Sequence, residues 1–213
     1  MPAAPLPPDE PARLAALRSY GVLDTPSEAA FDDLVRLASR ICKAPLALVS
    51  LVDADRQWFK ARVGLDASET PRDLAFCAHA ILAPQEVLHV EDALTDARFC
   101  DNSLALGAPH VRFYAGVPLV TGEGHALGTL CVIDHQPRQL DAEQLDALRV
   151  LGRQVVAQLE LRRQLRSLSR LVIDGEARQQ EPGVAEPHAA GDAARSFTRT
   201  TALLCLLSPE GRV

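Results

Sequence analysis

The chain has 213 residues, 47% hydrophobic and 23% charged, a balance that excludes a wholly disordered or collagen-like protein. Lys and Arg total 22 against 28 Asp and Glu, for a net charge of −6. That charge argues against a general nucleic-acid binder and a polybasic lipid anchor, and no apolar run reaches the roughly 18–20 residues of a membrane span.

The opening MPAAPLPPDEP carries neither a basic region nor an apolar core, so it does not read as a secretory leader. The cysteines Cys42, Cys77, Cys100, Cys131 and Cys205 are odd in number and lack paired spacing. They fit a reducing compartment, and the expected location is the cytoplasm.

Residues 1–9 are expected to be flexible. Pro11, Leu14 and Leu17 then suggest a first helix stopped by Gly21. Thr25-Pro26-Ser27-Glu28 has the pattern of a capping box, with Thr25 as N-cap. Phe31, Leu34, Val35, Ala38, Ile41 and Cys42 follow at 3.6-residue spacing, which predicts an amphipathic helix over about 26–42. Leu46 to Val52 reads as a buried strand, Asp53 to Arg56 as a turn and Gln57 to Val63 as the returning strand. On that second strand Trp58 shares a face with Lys60 and Arg62, so partial exposure is expected for it. Asp53 and Arg56 are expected to fix the hairpin.

Gly64 to Thr70 reads as a loop, and Pro71 opens a short helical segment holding Cys77-Ala78-His79. Val87 to Val90 is a short strand. Glu91 to Pro109 has little periodicity, and long loops of this kind tend to carry function. Val111–Val120 and Ala126–Asp134 form a second hairpin around Thr121-Gly122-Glu123-Gly124, which is a turn and not a phosphate loop. Asp141 and Gln144 form another capping-box pattern. Behind it Leu145, Leu148, Leu151, Val155, Leu159, Leu165, Leu168 and Val172 predict a helix of about thirty residues. From Asp174 the composition shifts to Gly, Pro, Ala and Glu, so 173–213 is expected to be a disordered or vestigial tail. The order of elements predicts an α+β fold: a central antiparallel sheet with helices on both sides and a cleft under Pro71–Leu82 and Glu91–Pro109.

The segments LDTPSEAAFDDLVRLASRIC, ALVSLVDADRQWFKA, FCAHAIL, VEDALTDARF, RFYAGVPLVT and LGTLCVID occur in the order found in GAF domains. The chain resembles that family over roughly residues 10–165, and the domain is placed at 10–172. The resemblance implies a six-stranded antiparallel sheet. It also implies a sensor of a small molecule or a partner protein without catalysis of its own, as at the N-terminus of bacterial sensor kinases and diguanylate cyclases. In this family the helix that leaves the domain often pairs across a dimer, so helix 141–172 is the expected route to a second copy or a signalling partner. Strict heptads fail, because the step of seven from Leu148 and Val155 lands on Arg162.

Period 2 places Arg112, Tyr114, Gly116 and Pro118 on one strand face, where a cation, a phenol and a vacant Cβ position could line a pocket. The other reading of Arg112 is an ion pair with Asp92 or Asp96. Asp96, Arg98 and Arg72 carry the same two readings. Cys77 and His79 complete the candidate ligand-binding set: Arg72, Cys77, His79, Asp96, Arg98, Arg112, Tyr114 and Gly116. No metal is expected, since residues i and i+2 of a helix diverge by about 200°. Ala78 also separates Cys77 from His79, unlike the Cys-His commonly used for bilin attachment in relatives. The Asn-Lys signature of cyclic-nucleotide-binding relatives is missing, and the sequence names no cofactor.

Two other readings stay open. One is a thiol-dependent methionine-R-sulfoxide reductase using Cys100 or Cys77 with a resolving cysteine. The other is a dimerisation scaffold or truncated remnant of a sensor kinase, since no phosphoacceptor box or cyclase motif follows the helix.

Overall fold

The computed structural model describes residues 3–179, with side chains through residue 170. Met1–Asp174 forms one compact unit and Gly175–Val213 a second, of which only the helical backbone of 175–179 is described. The expected tail beyond residue 179 lies outside the described residues.

The elements are α1 (Glu10–Tyr20), α2 (Ala29–Cys42), β1 (Leu46–Val52), β2 (Arg56–Val63), β3 (Glu69–Pro71), α3 (Phe76–Ala80), β4 (Leu88–Val90), α4 (Ser103–Leu106), β5 (Phe113–Val120), β6 (Ala126–Asp134) and α5 (Ala142–Gln179). Six strands form one antiparallel sheet in the order β3-β2-β1-β6-β5-β4. Both faces are covered. Ala47, Val49, Phe113 and Val132 pack with Leu17, Phe31, Val35 and Val155 of α1, α2 and α5. Leu48, Phe59, Tyr114 and Cys131 pack beneath α3 and the 91–111 segment, through Phe76, Ile81 and Phe99. Such double coverage explains why β1 and β6 are apolar at almost every position and buried throughout.

The α2 helix begins at Ala29, three residues later than expected, and Thr25 does not cap it. The Thr25 hydroxyl donates to the Val22 carbonyl at 2.6 Å. Glu28 turns away from the helix to meet Lys60 at 2.6 Å and Arg162 at 2.9 Å. Two cations outcompete the neutral backbone N–H that a capping box would satisfy. Burial pushes the Glu28 carboxyl up, and hydrogen bonds from Lys60 and Arg162 pull it below its usual range.

Lys60 is the extra residue of a bulge: Val49 pairs with Ala61, whereas Ser50 pairs with Phe59. The bulge breaks the period-2 alternation. It corrects the expectation for Trp58, which is buried with Ala61 in the first core. The Lys60 ammonium is sunk beneath the start of α2, on Thr25 Oγ1, the Pro26 carbonyl and Glu28.

The α5 start follows the sequence reading. The Asp141 N–H donates to Gln144 Oε1 at 3.1 Å, and the Gln144 N–H donates to Asp141 Oδ1 at 2.8 Å. Replacing Asp141→Ala is expected to cost about 1 kcal/mol in urea unfolding. The break in the heptads also has a structural reason. Arg162 and Arg166 donate to the Tyr20 and Gly21 carbonyls, where the negative end of α1 favours a cation. Around that clamp Leu161, Leu165 and Leu168 are about half exposed.

Candidate ligand site

The eight sequence candidates separate into four places. Arg72 is buried, bound to Glu10 and to the Asp53 carbonyl in the β1–β2 turn. Arg112 makes a two-pronged pair with Asp92, both contacts at 2.7 Å. That pair ties the 91–111 segment to the start of β5. The hydrogen bond from Arg112 holds Asp92 below the usual carboxylate range. Both arginines are therefore structural in this conformation.

Cys77, Tyr114 and Gly116 meet in a closed cluster between α3 and the sheet. Tyr114 Oη lies 3.2 Å from Cys77 Sγ, and Thr129 Oγ1 lies 3.0 Å from the same sulfur. The expectation that Gly116 leaves room for a ligand is corrected here. A Cβ at 116 would fall inside the radius of the Tyr114 phenol, so the protein's own side chain fills the space. Tyr114 is 1% exposed and Cys77 2% exposed.

His79, Asp96 and Arg98 come together at the edge of the sheet. A cavity of about 230 Å³ is lined there by His79, Ala80, Ala83, Glu86, Val87, Leu88, His89 and Arg98. The edge strand β4 forms one wall and the end of α3 another. Asp96 accepts from Arg98 Nε at 2.9 Å and Nη2 at 2.6 Å, and also from the Arg98 backbone N–H at 2.9 Å. Fixed this way, the Arg98 guanidinium rests over Phe99, 5.2 Å from the ring centre. His79 meets the same ring edge-on at 4.9 Å.

The His79 Nε2 atom is buried and has no hydrogen-bond partner, and so is that of His89. An unpaired buried polar atom carries a desolvation cost that a ligand can relieve. Burial lowers the His79 pKa, with Arg98 adding to the effect and Asp96 opposing it. His79 is therefore a neutral imidazole near pH 7, able to donate or accept at Nε2 according to tautomer.

Sequence reasoning missed His89 and Glu86. His89 is a polar residue between Leu88 and Val90 in a strand of only three residues, too short for periodicity to single it out. Its ring lies edge-on to Phe113 at 5.6 Å. A larger hollow, about 640 Å³, lies on the outer surface between α1 and distal α5, lined by Ser19, Arg163, Gln164, Ser167 and Leu168. Among the described residues no three His, Cys, Asp or Glu side chains are grouped to hold a metal, and no helix is long and apolar enough to cross a membrane.

A family model for the GAF domain matches residues 26–159, more than half of the chain. The chain belongs to the GAF family. A curated relative, a cyclic di-GMP phosphodiesterase of Pseudomonas aeruginosa, is 46% identical over 134 residues. That stretch is 63% of this chain and 23% of the relative, so this GAF chain spans less than a quarter of that protein's length. Two solved GAF domains share the fold at 18% identity and a TM-score of 0.53. One, from an Acinetobacter phosphoenolpyruvate-protein phosphotransferase, aligns over 73% of this chain and 95% of its own. The other is the blue-light absorbing form of the Thermosynechococcus elongatus PixJ GAF domain, aligned over 76% and 95%.

Proposed function

We propose that residues 10–172 are a non-catalytic regulatory GAF module of the cytoplasm. The module takes a small molecule in the cavity beside His79 and passes its occupancy to a partner through α5. One observation carries this reading: the buried Nε2 of His79 stands unpaired beside a cavity with a largely polar lining and a fixed guanidinium. Small-molecule sites are concave and fix orientation with a few placed polar groups, and the polar character of this lining favours a polar ligand. The volume suits a metabolite-sized ligand, not a polymer.

The identity to one portion of a phosphodiesterase supports a regulatory role beside a cyclic-dinucleotide output. It assigns no phosphodiesterase activity to this chain. The exposed Leu161, Leu165 and Leu168 support pairing of α5 with a second copy or an output partner. Free Cys42, Cys77, Cys100 and Cys131 support a reducing compartment. The sulfoxide-reductase alternative is disfavoured by access. Cys77 faces the core from α3 with almost no exposed surface, and the exposed Cys100 lies in the 91–111 segment.

The test is native mass spectrometry of protein purified gently from a bacterial lysate, wild type beside His79→Ala and Arg98→Ala. The expected result is a co-purifying small mass on wild type, with occupancy reduced about tenfold in His79→Ala, the equivalent of about 1.4 kcal/mol. Equal spectra for all three proteins would remove the cavity reading and leave partner binding through α5.

A further inference from the structure

We propose that the groove between β5 and α5 is a second ligand site, suited to a carboxylate on a short apolar body. The cavity there measures about 240 Å³, with Val117, Pro118 and Val120 on the strand side and Arg149, Gly152, Arg153 and Val156 on the helix side. The helix residues are three or four apart, so they share one stripe of α5. That stripe borders the one formed by Leu148, Val155 and Leu159, which is buried against the sheet. Gly152 lets the helix come close to the strand: a Cβ at that position would lie 3.0 Å from Val117 Cγ1.

The strand wall is an open sheet edge. β4 pairs with β5 only from Tyr114 to Gly116. Among the described residues, Val117 to Val120 therefore have no strand on that side. Pro118 has no N–H to offer there, which makes the edge a poor template for an added peptide strand. A small molecule resting on the valines and the proline ring needs no such ladder.

The helix wall supplies charge. Carboxylates hold Arg98 and Arg112, but neither Arg149 nor Arg153 makes a hydrogen bond or an ion pair with any described residue. Nearby acids leave them free: Glu160 is engaged by Tyr20 and Arg163, and Asp146, one turn before Arg149, forms no ion pair with it. Like charges at i and i+4 repel. One carboxylate between the two guanidiniums relieves that repulsion, while its hydrocarbon part covers Val117, Val120 and Val156. A bare inorganic anion would leave the valines wet, and a neutral hydrocarbon would leave the guanidiniums unpaired. The site shares no residue with the cavity beside His79. It lies on α5 itself, so a bound ligand adds contacts between that helix and the sheet and stabilises their docking by mass action.

The full chain is titrated with sodium octanoate by calorimetry, and methyl NMR locates the bound molecule. Octanamide serves as the uncharged counterpart, and inorganic phosphate as the anion without a body. The expected result is one octanoate per chain, bound about fivefold more tightly than octanamide or phosphate, with shifts at the Val117, Val120 and Val156 methyls. Replacing Arg149→Gln together with Arg153→Gln keeps good helix formers on the surface and should weaken octanoate about fivefold. Added salt should weaken it too, because both charges are exposed to solvent. Equal affinity for octanoate and octanamide, or for octanoate in wild type and the double variant, overturns the proposal. So does phosphate binding as tightly as octanoate, methyl shifts at Ala80, Val87 and Leu88 in place of the three valines, or no octanoate binding up to about 10 mM.

Discussion

Replacing Glu10→Gln is expected to destabilise the domain by about 3 kcal/mol, because it strands two buried guanidiniums. Glu10 on α1 accepts from Arg13 Nε at 2.7 Å and Arg13 Nη2 at 2.8 Å, and also from Arg72. The side chains of Arg13, Arg72 and Glu10 are 1%, 6% and 9% exposed. Arg72 continues to the Asp53 carbonyl, and Arg13 reaches the Ala126 carbonyl at 3.4 Å. One carboxylate therefore holds α1 against the β1–β2 turn and the start of β6. Glutamine keeps the shape but removes the charge that offsets both cations. For a domain of this size the loss is a fall in Tm of roughly 6–12 °C.

The acid limb gives a second readout of the same triad. Burial pushes the Glu10 carboxyl up, but the hydrogen bonds and charges of Arg13 and Arg72 outweigh it and lower the value from 4.5 to about 2. A carboxyl whose folded pKa is depressed stabilises the fold above its unfolded pKa. That contribution is lost as pH falls from about 4.5 toward 2. Glu10→Gln should flatten the unfolding curve in that window. Replacing all three residues with Met should recover much of the loss, since an apolar core needs no counter-charge. A Glu10→Gln loss below about 1 kcal/mol would mean that water reaches the guanidiniums.

The sheet and its two long helices were legible because their signals are periodic. Alternating or continuous apolar runs mark β1, β5 and β6, and 3.6-residue spacing marks α2 and α5. The two capping-box patterns show where such reading stops. Asp141 and Gln144 have no strong competitor and close the box as the sequence suggests. Thr25 and Glu28 have the same spacing, yet Lys60 and Arg162 arrive from residues 32 and 134 positions away and take Glu28. Short elements also escaped. Glu69–Pro71 is polar and only three residues long, and Ser103–Leu106 is held by its Asn102 cap, whose side chain accepts from the Leu104 N–H at 2.8 Å.

The site was legible in part for a similar reason. His79, Asp96 and Arg98 were singled out by residue type, but their meeting with His89 depends on β4 lying at the sheet edge. The apparent pocket at Tyr114 and Gly116 followed correctly from strand alternation. It failed on a single rotamer, which alternation does not encode.

That rotamer leads to the second large effect. Tyr114→Ala is expected to cost about 4 kcal/mol, the usual penalty for deleting a fully buried aromatic ring. Phe76 packs on this ring at 5.3 Å between centres, and Gly116 lies directly beneath it. Tyr114→Phe keeps the ring and loses only the hydroxyl contacts to Cys77 and Thr129, so it should cost about 1 kcal/mol. The contrast separates filling from hydrogen bonding. Tyr114→Ala should also open a hollow of the shape of the lost phenol. Added p-cresol should then raise its Tm in a concentration-dependent way while leaving wild type unchanged, because a ligand that binds only the folded state stabilises it. If Tyr114→Ala costs less than about 1 kcal/mol, the phenol is not what closes this part of the domain. Rescue by p-cresol would show that the phenol side chain alone fills the space under α3, which leaves the His79 cavity at the sheet edge as the open route for a small molecule.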